Sequence, residues 1–180
     1  MNAVIRLCLT LTLAACSACT HPAYFSPACG NPQLDDHVRR EFEVYGPQSG
    51  NHEYFGFIYE LQGSFGSAVV RGHDCRDPER CVVDPAGAVA QIPKGANVVG
   101  EWHTHPHIGA PGLSSLDVRA AHHNRHLNCY TPYYSNPSGD IYAWNPALDS
   151  VPTAMSSRML IGTYGERQAR DARESRRHAS

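Results

Sequence analysis

Residues 98–117 read VVGEWHTHPHIGAPGLSSLD and combine the features of a strand, a loop and the start of a helix. The strand carries His103 and His105, and both imidazoles should point the same way because side chains two apart on a strand share a face. After a loop rich in Pro and Gly, Ser114 and Asp117 have the spacing of a helix capping box, which would turn the Asp117 carboxylate back toward the strand. Two imidazoles, one carboxylate and an open fourth position make up the ligand set of a catalytic zinc site.

These motifs resemble the signature of the JAMM (MPN+) zinc metalloproteases, in which His-x-His-Pro is followed by Ser-x-x-Asp. The loop from Pro106 to Leu113 is one residue longer here than is usual in that family. Ser114 keeps the Ser-x-x-Asp spacing, and Ser115 is the alternative. The resemblance covers roughly residues 32–164. It implies a single JAMM/cytidine-deaminase-like domain of the α/β (α+β) class, with a mixed sheet flanked by helices.

The family also has a glutamate upstream, at the start of a strand that reads Glu-x-x-Gly and continues with apolar residues. Glu53 opens such a run, with Gly56 three residues later. Glu60 also has a Gly three residues on, but it ends an apolar run, and Glu101 lies on the His strand with no such Gly after it. We therefore favour Glu53 and keep Glu60 and Glu101 as alternatives.

The resemblance implies a role for each matched position. His103, His105 and Asp117 would bind Zn²⁺, Glu53 would act as the general base, and Ser114 would donate a hydrogen bond to the oxyanion. The implied reaction is hydrolysis of a peptide or isopeptide bond in a substrate that the sequence does not identify. The alternatives are, first, a different hydrolase or toxin-like effector that uses the same site and, second, a non-enzymatic lipoprotein that keeps the metal for stability or binds a partner. An intact Glu53 argues against the second, since a structural zinc needs no general base.

The N-terminus has the features of a targeting segment. Arg6 precedes a mostly apolar run, residues 7–15, that is far shorter than the ~20 residues needed to span a bilayer. Leu13-Ala14-Ala15-Cys16 resembles a bacterial lipobox, which would make Cys16 the lipidated first residue of the mature chain. The alternatives are lipidation at Cys19 and an ordinary signal peptide cut near residue 18 or 20. The lipobox, with a Ser after the cysteine, implies a lipid-anchored protein of the cell envelope, at the outer membrane and facing the periplasm.

Composition places the rest of the chain among globular proteins. Of the 180 residues, 42% are hydrophobic and 18% charged, and the net charge of −2 gives no reason to expect nucleic acid as a partner. We divide the chain into a signal peptide (1–15), a tether (16–31), the JAMM-like domain (32–164) and a charged C-terminal tail (165–180).

An oxidising periplasm favours disulfides among the remaining cysteines. Cys75 and Cys81 flank a short polar turn and form the best candidate pair. A bridge between Cys29 and Cys129 is a weaker proposal.

Periodicity predicts the other elements. Asn31 and Pro32 suit the N-cap and first position of a helix over 32–45, whose apolar residues recur every four positions. The helix after Ser114 should end near residue 127, with Leu116, Ala120 and Leu127 on its inner face. The predicted strands are 54–61 and 65–70 as a hairpin, the central strand, 130–134, 141–144 and 158–164, with short extended pieces at 81–83 and 89–92.

Three further side chains have less specific signals. Trp102 should face away from the His pair and join the core. His122 and His126 have the i, i+4 spacing of a helical metal pair. No Glu follows His122, so the His-Glu-x-x-His arrangement is absent, and we expect both rings to be solvated.

Overall fold

A computed structural model describes residues 31–75, 81, 83–106, 113–127, 130–149 and 157–165. Their centre is a six-stranded mixed sheet with strand order β2-β1-β3-β4-β5-β6. The α+β class predicted from the sequence is confirmed. The signal peptide, nearly all of the tether and all but the first residue of the tail lie outside the described residues, so the predicted boundaries stay predictions.

The elements are α1 (Pro32–Tyr45), a 3₁₀ turn (Gly46–Gln48), β1 (Tyr54–Leu61), β2 (Ser64–Arg71), α2 (Ala86–Val89), β3 (Asn97–Thr104), α3 (Ser115–Asn124), β4 (Thr131–Ser135), β5 (Asp140–Trp144) and β6 (Arg158–Thr163). No helix in the described part of the chain is long and apolar enough to cross a membrane.

Helix α1 begins as its sequence predicts. The Asn31 side chain accepts hydrogen bonds from the backbone N–H groups of Gln33 and Leu34, and Pro32 occupies the first helical position. The apolar stripe of the helix is buried against one face of the sheet. The residues of this core are Leu34, Val38, Phe42, Ile58, Trp102, Tyr133, Ile141 and Ala143. Trp102 is fully buried there, as predicted.

Strands β1 and β2 form the predicted hairpin. Gln62 and Gly63 make its two-residue turn, with φ of 53° and 77°, which are the positive values that this kind of tight turn requires. Strand β1 then pairs with β3, in the antiparallel direction. Gly56 makes that pairing possible, because a Cβ atom on it would lie 2.5 Å from the Trp102 indole nitrogen.

Strands β3 and β4 are parallel, and α3 forms the crossover between them. Val118 and Ala121 of this helix pack on Trp144 of β5, on the face of the sheet opposite α1. The predicted inner face of α3 is wrong, because Leu116 is 62% exposed and Ala120 and Leu127 are exposed too. The rotation of the helix about its axis explains the error. Asp117 points toward β3, and residue 121, four positions later, lies on the same side of the helix and is therefore buried against the sheet.

Two more predictions need correction. Residues 89–92 were expected to be extended, but Val89 ends the short helix α2, and the N–H groups of Gln91 and Ile92 bond to carbonyls three residues back. His122 is not solvated: it is 7% exposed, and its ring centroid lies 5.2 Å from that of Trp144. His126 is exposed, as expected.

Candidate metal centre

The end of β3 presents the two predicted imidazoles on the α3 side of the sheet: His103 lies on the strand, and His105 directly follows its last residue. His103 and His105 are 5% and 6% exposed, and their Nε2 atoms lie 3.1 Å apart. The side chain between them, Thr104, points to the other face, where it accepts a hydrogen bond from Ser49. The alternation of a strand therefore brings both rings to one point.

The predicted capping box brings the carboxylate to the same point. The Ser114 Oγ accepts from the Asp117 N–H at 3.3 Å, and the Asp117 carboxylate accepts from the Ser114 N–H at 2.8 Å. The same carboxylate oxygen lies 3.9 Å from the His103 Nε2. The cap thus both starts α3 and aims Asp117 at the His pair.

The three donor groups could together hold a metal ion. Their ligand atoms all lie within 4.8 Å of one another. Two ligands at ~2.0–2.2 Å from one ion, at tetrahedral angles, would be about 3.3–3.6 Å apart. The His103 Nε2 lies 3.1 Å from the His105 Nε2 and 3.9 Å from the Asp117 carboxylate, close to that range.

The protonation states also suit a metal. Burial lowers the pKa of His103, so the imidazole keeps the neutral form that a ligand needs. Burial alone would raise the pKa of Asp117, but the nearby His103 and the hydrogen bonds of Ser114 hold it below its ordinary value. The donor set is therefore two imidazoles and one carboxylate.

Glu53 lies across from the His pair. In the β1–β3 register Phe55 is opposite His103, and continuing it by two residues places Glu53 opposite His105. Burial, followed by the negative charge of Asp117, raises the pKa of Glu53 from 4.5 to about 8. The carboxyl therefore faces the candidate ligands from the residue just before the neighbouring strand β1.

Of the two alternative glutamates, only one is near this centre. Glu60 pairs with Asn97 at the start of β3, six residues from His103 and so about 20 Å away. Glu101 is on the ligand face, 6% exposed, and the Tyr130 hydroxyl donates a hydrogen bond to it. Burial raises the pKa of Glu101 to about 7; the hydrogen bond from Tyr130 opposes this shift and the charge of Asp117 adds to it.

The sequence analysis did not predict the hydrogen bonds that connect Glu101 to Tyr130 and Asn124. The Asn124 side chain donates to the Tyr130 hydroxyl at 3.1 Å, so a hydrogen-bonded chain runs from the end of α3 through Tyr130 to Glu101 on β3. These hydrogen bonds connect the helix that carries Asp117 to the strand that carries His103. The available signal was a carboxylate two residues before His103, on the same face of the strand by its period of two.

The two candidate serines occupy different positions. Ser114 is the N-cap, exposed beside Asp117, and its hydroxyl hydrogen is not used by the bond that its oxygen accepts. Ser115 is the first residue of α3 and takes no part in the capping box. The geometry therefore favours Ser114. The longer loop falls largely on residues 107–112, outside the described part.

The remaining site predictions concern cysteines, and only one of the two predicted pairs lies among the described residues. Cys75 and Cys81 form a candidate disulfide, with Cα atoms 4.8 Å apart. The proposed lipidation site Cys16 and the proposed pair Cys29 and Cys129 lie outside the described residues.

Comparison of the chain with protein-family models and with curated proteins found no match. The family resemblance therefore depends on the motif residues and on the positions that the fold gives them.

Proposed function

We propose that this chain is a zinc-dependent hydrolase of the cell envelope that cleaves peptide or isopeptide bonds. One observation carries the proposal: the donor atoms of His103, His105 and Asp117 converge within 4.8 Å, and the Glu53 carboxyl faces them from the next strand. A site that only held a metal for stability would not need that fourth group.

A zinc ion with three protein ligands lowers the pKa of a water in its open position to ~7. Glu53 would accept a proton from the attacking water and pass it to the leaving amine. Without a metal ion, burial raises the pKa of Glu53 to about 8; the positive charge of a bound zinc would lower that pKa and favour the carboxylate that a general base needs. Ser114 would donate its hydroxyl hydrogen to the oxyanion of the tetrahedral intermediate.

The cellular setting of the proposal comes from the N-terminal sequence. A lipid on Cys16 would anchor the domain to the outer membrane on its periplasmic side. The candidate disulfide between Cys75 and Cys81 fits that oxidising compartment. The partners we propose are a peptide or isopeptide substrate and the membrane, with no nucleic acid.

Metal content and hydrolysis test the proposal together. The purified chain should contain about one zinc per molecule, and His103→Ala should contain none. Hydrolysis would be measured by mass spectrometry on a peptide library and on isopeptide-linked peptides. Glu53→Gln should keep zinc and fold but lose about 10²–10⁴-fold in rate.

Glu60→Gln is the matched control, because Glu60 lies near the far end of β1, the strand that Glu53 directly precedes, and is far from the ligands. It should retain both zinc and activity. A folded parent that takes up no zinc after reconstitution would contradict the proposal, and so would a Glu53→Gln variant with full activity.

A further inference from the structure

A row of side chains leads from the His pair toward the β6 edge of the sheet. The Tyr134 ring centroid lies 6.5 Å from that of His103 and 6.2 Å from that of His105. The Tyr142 ring stacks on Tyr134 at 5.1 Å with an angle of 19° between the planes. The guanidinium carbon of Arg158 is 5.8 Å from the Tyr142 ring centroid. The row therefore ends in a positive charge.

The strand pairing places the two tyrosines of this row directly beside His103, along a line that crosses the strands. His103 is opposite Tyr134 in the β3–β4 pair, and Tyr134 is opposite Tyr142 in the β4–β5 pair. Two strand spacings separate His103 from Tyr142, which is about 10 Å. An extended peptide covers this distance in about three residues, at ~3.3–3.6 Å each.

Arg158 is held over the tyrosines. Besides lying over the Tyr142 ring, its guanidinium is close enough to Tyr134 for its positive charge to oppose the burial that raises the pKa of that phenol. Within the described residues it forms no ion pair with a carboxylate. A guanidinium has five donors in a planar fork, so Arg158 can bind a carboxylate through two parallel hydrogen bonds while it stays stacked on Tyr142.

The other side of the ligands has a different character. Phe55, opposite His103 on β1, packs edge-to-face on Phe57 with ring centroids 4.9 Å apart. A substrate lying across the strands would therefore meet apolar rings on the β1 side and a cation on the β6 side. This asymmetry can set the direction in which the substrate lies.

We propose that Tyr142 and Arg158 form a substrate subsite that binds a carboxylate about three residues from the scissile bond. This inference rests on the proposed hydrolase function. The carboxylate is either the free C-terminus of the substrate or the side chain of an acidic residue, and both would form the same charge-assisted pair with the guanidinium.

Binding can be tested without hydrolysis. The Arg158 side-chain N–H and Tyr142 ring signals of the full chain would be followed by NMR, with and without zinc. The probes are N-acetylglutamic acid α-amide (side-chain carboxylate), N-acetylglycine (terminal carboxylate) and N-acetylglycinamide (no carboxylate). At least one acid should shift both sets of signals, and the neutral amide should not. Arg158→Gln should abolish the shifts of Tyr142, and Arg40→Gln, on α1 across the sheet, should not.

Equal shifts from N-acetylglycinamide, or unchanged acid binding by Arg158→Gln, would overturn the subsite. In the peptide library, parent cleavage sites should be enriched in a carboxylate about three residues from the cut. Arg158→Gln should lose about 10–100-fold in kcat/KM on those peptides, mainly through KM, while zinc content stays the same. Absence of all hydrolysis would count against the hydrolase, and the binding experiment would still decide the subsite.

Discussion

The Asp117→Asn substitution separates the two tasks of this carboxylate. Asp117 accepts the Ser114 N–H at 2.8 Å as part of the helix cap, and it lies 3.9 Å from the His103 Nε2 as a candidate ligand. An Asn amide oxygen can still accept the cap hydrogen bond, so Asp117→Asn should leave the metal-free protein nearly as stable as the parent. Asp117→Ala also removes the cap contact and should cost about 1 kcal/mol.

The effect on zinc should be much larger. Loss of an outer partner of a metal ligand already weakens metal binding by 10–100-fold, so loss of the charged ligand itself should cost at least ~100-fold. With free zinc at 1,000 times the parent's Kd, binding stabilises the parent by about 4.1 kcal/mol and such a variant by about 1.4 kcal/mol. The zinc-induced rise in Tm should fall from roughly 15 °C to roughly 5 °C for a domain of this size.

Thermal unfolding with and without zinc, together with a zinc titration, measures both quantities. Ser115→Ala is the control, since Ser115 begins α3 without joining the capping box. The reasoning is refuted if Asp117→Asn keeps the parent's zinc-induced Tm shift. It is also refuted if Asp117→Asn and Asp117→Ala lose the same stability without metal.

Three other predictions follow from buried groups and close packing. In the metal-free protein the pKa of Glu53 is about 8, above its ordinary 4.5. The stability that the protonated carboxyl contributes is therefore fully present below pH 4.5 and is lost as the pH rises through about 8. Glu53→Gln should remove this part of the pH dependence of the free energy of unfolding, measured by denaturant titration. Tyr130→Phe removes the hydroxyl that donates to Glu101, so it should lower the free energy of unfolding by about 1.5–3 kcal/mol and weaken zinc binding in a titration. If both values stay unchanged, the hydrogen bonds from Asn124 through Tyr130 to Glu101 do not hold α3 in place. Gly56→Ala places a Cβ 2.5 Å from the Trp102 indole nitrogen and should lower the free energy of unfolding by about 1–3 kcal/mol in chemical denaturation. Gly50→Ala, where a Cβ would have no neighbour within 4 Å, should change it little.

Local chemistry made the candidate centre predictable. His103 and His105 share a face because of the strand period, and the spacing of Ser114 and Asp117 defines a cap that needs no tertiary information. The start of α1 is local in the same sense, because Asn31 satisfies the first backbone donors of the helix. In each case the interacting residues are at most three positions apart in the chain.

The errors come from contacts between distant segments. Helix α2 is only four residues long, and the burial of Ala88 beside the first two strands, rather than helix propensity, accounts for it. His122 is buried because α3 crosses over Trp144, 22 residues later in the sequence. The bond between Tyr130 and Glu101 depends on the parallel pairing of β3 with β4, which no local pattern specifies.

The order of the site residues along the chain has a consequence for biogenesis. All three candidate ligands fall within residues 103–117, between the end of β3 and the first turn of α3, so a metal would close only a short loop, at a low entropic cost. Glu53 is fifty positions before His103 in the sequence and lies just before the β1–β2 hairpin. It comes close to the ligands only when β1 pairs with β3. Zinc could therefore be captured by an incompletely assembled chain and speed its refolding. That intermediate would lack the base, so hydrolysis would begin only after the sheet is complete.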